Sequence, residues 1–174
     1  DEPAASPGYN CAGRSARAAI EKVVDRALLA QSAGVPAVNN CAGYWGYASA
    51  GCDSSTTQFT SAGLAASKSF YSSEGESADK DRLPGIDAAL SLISDAYAVH
   101  GKAPLANCVW DSCAAGGCVG HGYQATSYGP SYQQTGSATF VQLMALGKNV
   151  NDPAIQQYLR WLQHGYSYDT NYNI

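Results

Sequence analysis

Cysteine and histidine are the side chains of this sequence best suited to metal chemistry, and several of them lie close together. Cys108, Cys113, Cys118 and His121 fall in one short, Gly-rich segment. Thiolates and imidazoles are common zinc ligands, which makes Cys118 and His121 candidates for a metal site. Their spacing matches none of the common zinc patterns, and in an oxidising compartment the cysteines are better interpreted as disulfides.

His121 is also the histidine best placed for proton transfer. It lies in a Gly- and Tyr-containing loop, whereas His100 and His164 fall at predicted helix ends, where a cation suits the helix dipole. His121 and Tyr123 are therefore candidates for a base and an acid, and a hydrogen-bonded loop histidine is the alternative. The sequence contains no phosphate-binding loop, dinucleotide fingerprint or serine-hydrolase motif, so no cofactor is predicted.

The six cysteines are predicted to form disulfides: Cys11, Cys41, Cys52, Cys108, Cys113 and Cys118. Cys41 and Cys52 share one predicted loop and are the best candidates for a pair. Two of the three cysteines in the second loop are expected to bond each other. Cys11 precedes the first predicted helix, so it either meets the second loop or pairs outside the chain, because bonded cysteines need α-carbons within about 7 Å.

Aromatic residues of the two predicted loops form a candidate binding surface. Tyrosine and tryptophan offer a large contact area with a polar tip, which suits recognition of a protein or a sugar. The alternative is that these side chains cover a core of small residues. The candidates are Trp45, Tyr47, Trp110, Tyr123, Tyr128 and Tyr132.

Composition restricts the class of protein. The 174 residues, of which 14% are charged, predict a single domain over 1–174, with an extended segment over 1–13. A net charge of −4 without a Lys/Arg cluster argues against a nucleic-acid partner, and no apolar run is long enough to span a membrane. Six cysteines and a small, polar first segment favour a secreted protein, extracellular or periplasmic.

Hydrophobic periodicity predicts an all-α fold. Amphipathic helices are expected over 15–31, 84–99 and 153–164, with starts that recur every 69 residues. Helices rich in small residues are expected over 55–70 and 134–146, and Ser55 to Gln58 matches a capping box at the first of them. The pattern favours stacked antiparallel helical hairpins joined by long disulfide-bearing loops.

Three motifs of the first round carry a family resemblance. The segments 28–31 (Leu-Leu-Ala-Gln), 43–47 (Gly-Tyr-Trp-Gly-Tyr) and 53–64, which begins at Asp53, occur in that order. Together they resemble the repeat of the squalene–hopene cyclase and prenyltransferase superfamily. The resemblance implies a partial α/α toroid, about half a ring. Gln31 can bond free carbonyls at a helix end and Trp45 can stack on the chain, so both are interpreted as structural, with a ligand contact as the alternative.

The same resemblance leaves two functions open. The Asp-x-Asp-Asp acid of the cyclases is missing, which favours a non-catalytic structural or protein-binding module completed by further chain or another subunit. The third amphipathic helix would then present Ile155, Leu159 and Leu162 to a partner protein or a second copy. The alternative is a toroid enzyme, terpene cyclase-like or polysaccharide lyase-like, with part of its active site outside this chain.

Overall fold

The fold is that of a computed structural model, which describes residues 15–47, 51–73, 80–100, 117–124 and 130–165. Within these ranges the chain forms five α-helices and no β-strand, which confirms the predicted all-α class. A 3₁₀ turn precedes the third helix, at Lys80–Arg82, and a π-helical turn at Val141–Ala145 continues the fourth. The helices are α1 (Ala16–Ala30), α2 (Ser54–Ser73), α3 (Leu83–His100), α4 (Tyr132–Phe140) and α5 (Pro153–Gly165).

Three helix starts follow from the residue that precedes them. The hydroxyls of Ser15 and Ser131 each accept a hydrogen bond, at 3.2 Å, from the backbone N–H three residues further on. The carboxylate of Asp152 accepts one at 2.9 Å from the N–H of Ala154, and Pro153 occupies the first helical position. Each of these side chains satisfies a backbone donor that the helix itself leaves unpaired.

The start of α2 differs from the predicted capping box. Its first residue is Ser54, and the cap is Asp53, whose Oδ1 accepts hydrogen bonds at 2.7 Å from the Thr56 N–H and from the Ser55 hydroxyl. Ser55 therefore donates to the cap and is not the cap itself, which corrects the prediction. A carboxylate is the stronger acceptor here because it also interacts favourably with the positive end of the helix dipole.

The helices enclose one main core with α2 at its centre. Helix α2 packs against α1, against α3, and against α4 together with the π-helical turn that continues α4. Helix α4 packs in turn against α5. None of the helices within the described ranges is long and apolar enough to cross a membrane. The largest fully buried side chains include one tryptophan and four tyrosines: Trp45, Tyr44, Tyr71, Tyr97 and Tyr158.

Helix α5 is covered largely by its own chain. Ile155, Tyr158 and Trp161, which recur at three-residue steps, are buried, and Trp161 packs against Cys118. The Trp161 ring also lies so close to Gly120 that a Cβ there would fall 2.5 Å from it. The apolar face that was expected to need a partner is therefore buried to a large extent inside this chain, with Leu159 and Leu162 left half-buried at its edge.

Candidate functional site

The first loop is held by a disulfide between Cys41 and Cys52, whose α-carbons are 4.5 Å apart, and the predicted pair is confirmed. Cys118 is disulfide-bonded as well, while Cys11, Cys108 and Cys113 lie outside the described residues. A disulfide sulfur is not a thiolate, so Cys118 is not available as a zinc ligand, which corrects that candidate. Among the described residues no three His, Cys, Asp or Glu side chains are grouped as metal ligands would be.

Gln31 and Trp45 tie the first loop to the helices. The side-chain amide of Gln31 donates hydrogen bonds of 2.9 Å to the carbonyls of Gly43 in the loop and Ala89 in α3. The indole N–H of Trp45 donates at 2.7 Å to the carbonyl of Ala27 in α1. Each bond satisfies a backbone carbonyl that lies next to the core.

Trp45 is only 2% exposed, so it does not belong to the predicted binding surface. Its indole lies inward because its N–H finds a partner in α1, and its own backbone N–H donates to the Thr57 hydroxyl at 3.0 Å. The neighbouring Tyr47 is 81% exposed. Tyr123 and Tyr132 are also exposed at the surface, and the other two candidates, Trp110 and Tyr128, lie outside the described residues.

His121 lies at the centre of a buried group of side chains, which we call the His121 cluster: Tyr44 and Ser54, which lie within hydrogen-bond distance of the imidazole, and Tyr97, which contacts it through its ring. Nδ1 of His121 lies 2.8 Å from the carbonyl of Gly122, which can only accept, so Nδ1 donates. In the neutral ring Nε2 is then the acceptor, and the Tyr44 hydroxyl donates to it at 2.7 Å. The Ser54 hydroxyl, 3.4 Å from Nδ1, donates to the same Gly122 carbonyl at 2.9 Å.

Burial dominates the electrostatics of this cluster. Both His121 and Tyr44 are fully buried, and the edge of the Tyr97 ring packs on the imidazole with ring centres 4.9 Å apart. Burial raises the pKa of Tyr44 well above its usual value, and the neighbouring Tyr97 and Tyr158 raise it further. The Tyr44 hydroxyl therefore stays protonated and donates, which agrees with its bond to Nε2.

Tyr123, the predicted acid, is paired with a carboxylate. Its hydroxyl is hydrogen-bonded to the Asp53 carboxylate, and this bond is the largest cause that raises the pKa of Tyr123 to about 12. For Asp53, burial works to raise the pKa, but hydrogen bonds from Thr56, Tyr123 and Ser55 outweigh it and lower the pKa overall. The hydroxyl of Tyr123, the predicted acid, thus bonds Asp53, whereas the imidazole of His121, the predicted base, bonds Tyr44.

Sequence reasoning did not identify Tyr44 as the partner of His121. The two residues are 77 positions apart, and no motif spacing connects them. The loop segment that carries His121 is placed by long-range backbone bonds. Val119 donates to the Gln157 carbonyl in α5 at 3.1 Å, and Ser54 donates to the Tyr123 carbonyl at 3.0 Å.

A second feature is open to solvent, an apolar groove between α1 and α2 that we call the α1–α2 groove. Its volume is about 500 Å³. Val23 on α1 is 68% exposed and Phe59 on α2 is 75% exposed. Its lining includes Ile20, Val23 and Val24 from α1 and Phe59, Gly63 and Leu64 from α2.

The His121 cluster and the α1–α2 groove differ in their titratable groups and in their access to solvent. The His121 cluster contains groups that could exchange a proton, but they are sealed from solvent. The α1–α2 groove is accessible but contains no titratable side chain in its lining. No protein family is matched by the chain, nor does any curated protein or solved structure match it.

Proposed function

We propose that this chain is a non-catalytic protein-binding module whose binding surface is the α1–α2 groove. The exposure of Val23 and Phe59 beside this groove carries the proposal. Burying one such side chain stabilises a protein by about 1.5–3 kcal/mol, so leaving both in water forgoes a substantial gain. Contiguous apolar surface of this kind marks sites that another molecule covers.

The module is built on helical repeats of the α/α toroid class, continued by further chain or by another subunit. The hydrogen bonds of Gln31 and Trp45 support this assignment, because both side chains act structurally, as the resemblance implies. The position of the groove supports it as well. α1 and α2 form the first round, and their open side is where a preceding round would pack.

A secreted location, extracellular or periplasmic, belongs to the same proposal. The bonded pair Cys41–Cys52 and the bonded Cys118 support it, since disulfides persist mainly in oxidising compartments.

An enzyme of the toroid class is the second candidate. The 2.7 Å hydrogen bond between Tyr44 and His121 favours it, because proton transfer requires this kind of geometry. Both residues are fully buried, however, so a substrate would reach them only after the loops around them had separated. The open groove needs no such rearrangement, which is why binding is the preferred function.

Site-specific photo-crosslinking in the cells that make the protein tests the binding function. A photo-crosslinking amino acid at position 23 lies beside the groove. One at position 29 is a matched control, because Leu29 is on the same helix, is 83% exposed and does not line the groove. We expect a protein adduct from position 23 and none from position 29. Adducts of equal yield from both, or none from either, would contradict a binding function for this surface.

A further inference from the structure

Helix α1 carries two like-charge pairs on different flanks. Glu21 and Asp25 are four residues apart, and so are Lys22 and Arg26. Side chains at this spacing are neighbours on a helix, and like charges there repel each other. Helix α1 itself offers each pair one opposite charge, since Arg17 lies four residues before Glu21 and Asp25 lies three residues after Lys22.

The acidic pair obtains its counter-charge from within the chain. The guanidinium of Arg82, at the start of α3, donates from Nε to Asp25 Oδ1 at 2.8 Å and from Nη2 to Oδ2 at 2.9 Å. This two-pronged bond lowers the pKa of Asp25, which keeps the carboxylate charged. The 3₁₀ turn that precedes α3 thus supplies the counter-charge for Asp25.

The basic pair borders the groove instead. Lys22 and Arg26 are exposed, and neither has an ion-pair partner among the residues that the structure describes. Ala19 and Val23, which line the groove, lie three residues before Lys22 and Arg26 respectively. The α1 edge of the groove is therefore positively charged, because Asp25, the acidic neighbour of Lys22 on the helix, is bonded to Arg82.

The α2 side of the groove has room for a closely packed neighbour. A Cβ at Gly63 would meet no atom within 4 Å, so nothing inside the described structure requires a glycine there. A glycine in the middle of a helix weakens it relative to alanine. Gly63 therefore leaves space on this side of the groove, and a large side chain at 63 would obstruct an external helix there.

Resting on the proposed function, we propose that the α1–α2 groove binds an amphipathic helix that carries Asp or Glu along the edge next to Lys22 and Arg26. The lining on α1 runs from Ala19 to Ala27 and so matches about two turns of a helix, roughly 12 Å at 1.5 Å per residue. Apolar side chains of the partner at i, i+3 or i+4, and i+7 fill the groove over that length.

Two synthetic helical peptides of about 18 residues test this, a length at which a stabilised helix persists in water. Both have Leu at the same groove-facing positions, and one has Glu where the other has Lys along the flanking edge. Fluorescence anisotropy at low ionic strength measures their affinity for the whole chain. We expect the Glu peptide to bind at least about tenfold more tightly, with a difference that shrinks as salt is added.

Two sets of variants identify the site. The double variant Lys22→Glu/Arg26→Glu is expected to reverse the preference between the peptides, while Arg160→Glu, at an exposed position of α5, leaves it unchanged. Gly63→Leu is expected to weaken the Glu peptide at least about tenfold by filling the groove. Gly136→Leu is its control, because a Cβ at Gly136 in α4 also meets no atom within 4 Å.

Three outcomes would overturn the inference. Equal affinity for both peptides, or preference for the Lys peptide, rules out an acidic partner and leaves the binding function intact if position 23 gives its adduct. A protein dimer that Gly63→Leu dissociates makes a second copy the occupant. Absence of binding by both peptides rules out a helix in the groove, and the crosslinking result then decides separately whether the surface binds protein at all.

Discussion

The His121 cluster and the α1–α2 groove both include residues of α2, yet one is closed and the other is open. Ser54 at the start of α2 is fully buried and hydrogen-bonded in the cluster, whereas Phe59, five residues later, is exposed beside the groove. The difference comes from the neighbours. The loop segment 117–124 and α4 lie over the start of α2, and nothing described lies over the face that carries Phe59. Polar side chains of the cluster are thus sealed inside, while Val23 and Phe59 remain in solvent on the face that we propose as a binding surface.

The largest effect is expected from Trp45, which is buried in the same core as the His121 cluster. Trp45→Ala should lower the free energy of unfolding by about 3–5 kcal/mol, because it removes a buried ring and leaves the Ala27 carbonyl without its donor. Chemical denaturation measures this. Tyr47→Ala, at the exposed aromatic position two residues away, should change stability by less than about 0.5 kcal/mol. Similar losses for both would mean that Trp45 is not a core residue.

Removing a single hydroxyl tests the cluster more finely. Tyr44→Phe takes away the donor to His121 Nε2 and leaves a buried acceptor unpaired, which should cost about 2 kcal/mol of unfolding free energy. Tyr47→Phe is the control and should cost less than about 0.5 kcal/mol, since the hydrogen bond that it removes, to Tyr123, involves a side chain that is 81% exposed. If Tyr44→Phe left the free energy of unfolding unchanged in chemical denaturation, the hydrogen bond would not stabilise the His121 cluster.

Substitution of two adjacent valines of α1 allows a direct comparison of the core with the groove. Val24 is 3% exposed and Val23 is not buried, so Val24→Ala should cost about 1.5 kcal/mol and Val23→Ala less than about 0.5 kcal/mol. Thermal or urea unfolding of the two variants gives the comparison. The Val23 variant should instead weaken binding at the groove. A larger stability loss from Val23→Ala would show that the groove side of α1 is packed in solution.

The smallest effect concerns glycine at open and closed positions. Gly63→Ala should raise stability by about 0.5–1 kcal/mol, because the helix improves and the added Cβ meets open space. Gly43→Ala should instead destabilise the protein, since Gly43 has φ +88° and a Cβ there would fall 2.8 Å from the Leu92 carbonyl oxygen. Calorimetry should therefore show a higher melting temperature for Gly63→Ala and a lower one for Gly43→Ala. A lower melting temperature for both variants would contradict the assignment of an open groove.

Local patterns predicted much of the fold. The apolar periodicity predicted a helical chain, and the caps Ser131 and Asp152 formed as their types suggest, because capping depends on groups only two or three residues away. The Cys41–Cys52 pair was predictable because both residues lie in one loop. One local prediction was wrong. Ser55 was predicted to cap α2, but the cap is Asp53, because α2 begins at Ser54 and Asp53 is the residue just before it.

The candidate site was less predictable. The sequence pointed to His121, but its partner Tyr44 comes from the other loop, and Tyr123 was diverted to Asp53 by a contact across the fold. Trp45 was interpreted both as a structural residue and as surface, and only the bond to Ala27 decided between the two.

The sequence by itself determined that this chain is helical, where several of its helices begin and which two cysteines of the first loop pair. These properties depend on neighbours along the chain. Only the tertiary structure decided that His121 is sealed in a core while Val23 and Phe59 remain in solvent. Burial depends on which distant segments pack over a residue, so side chains of the same type can be buried at one position and exposed at the next, as Val24 and Val23 are.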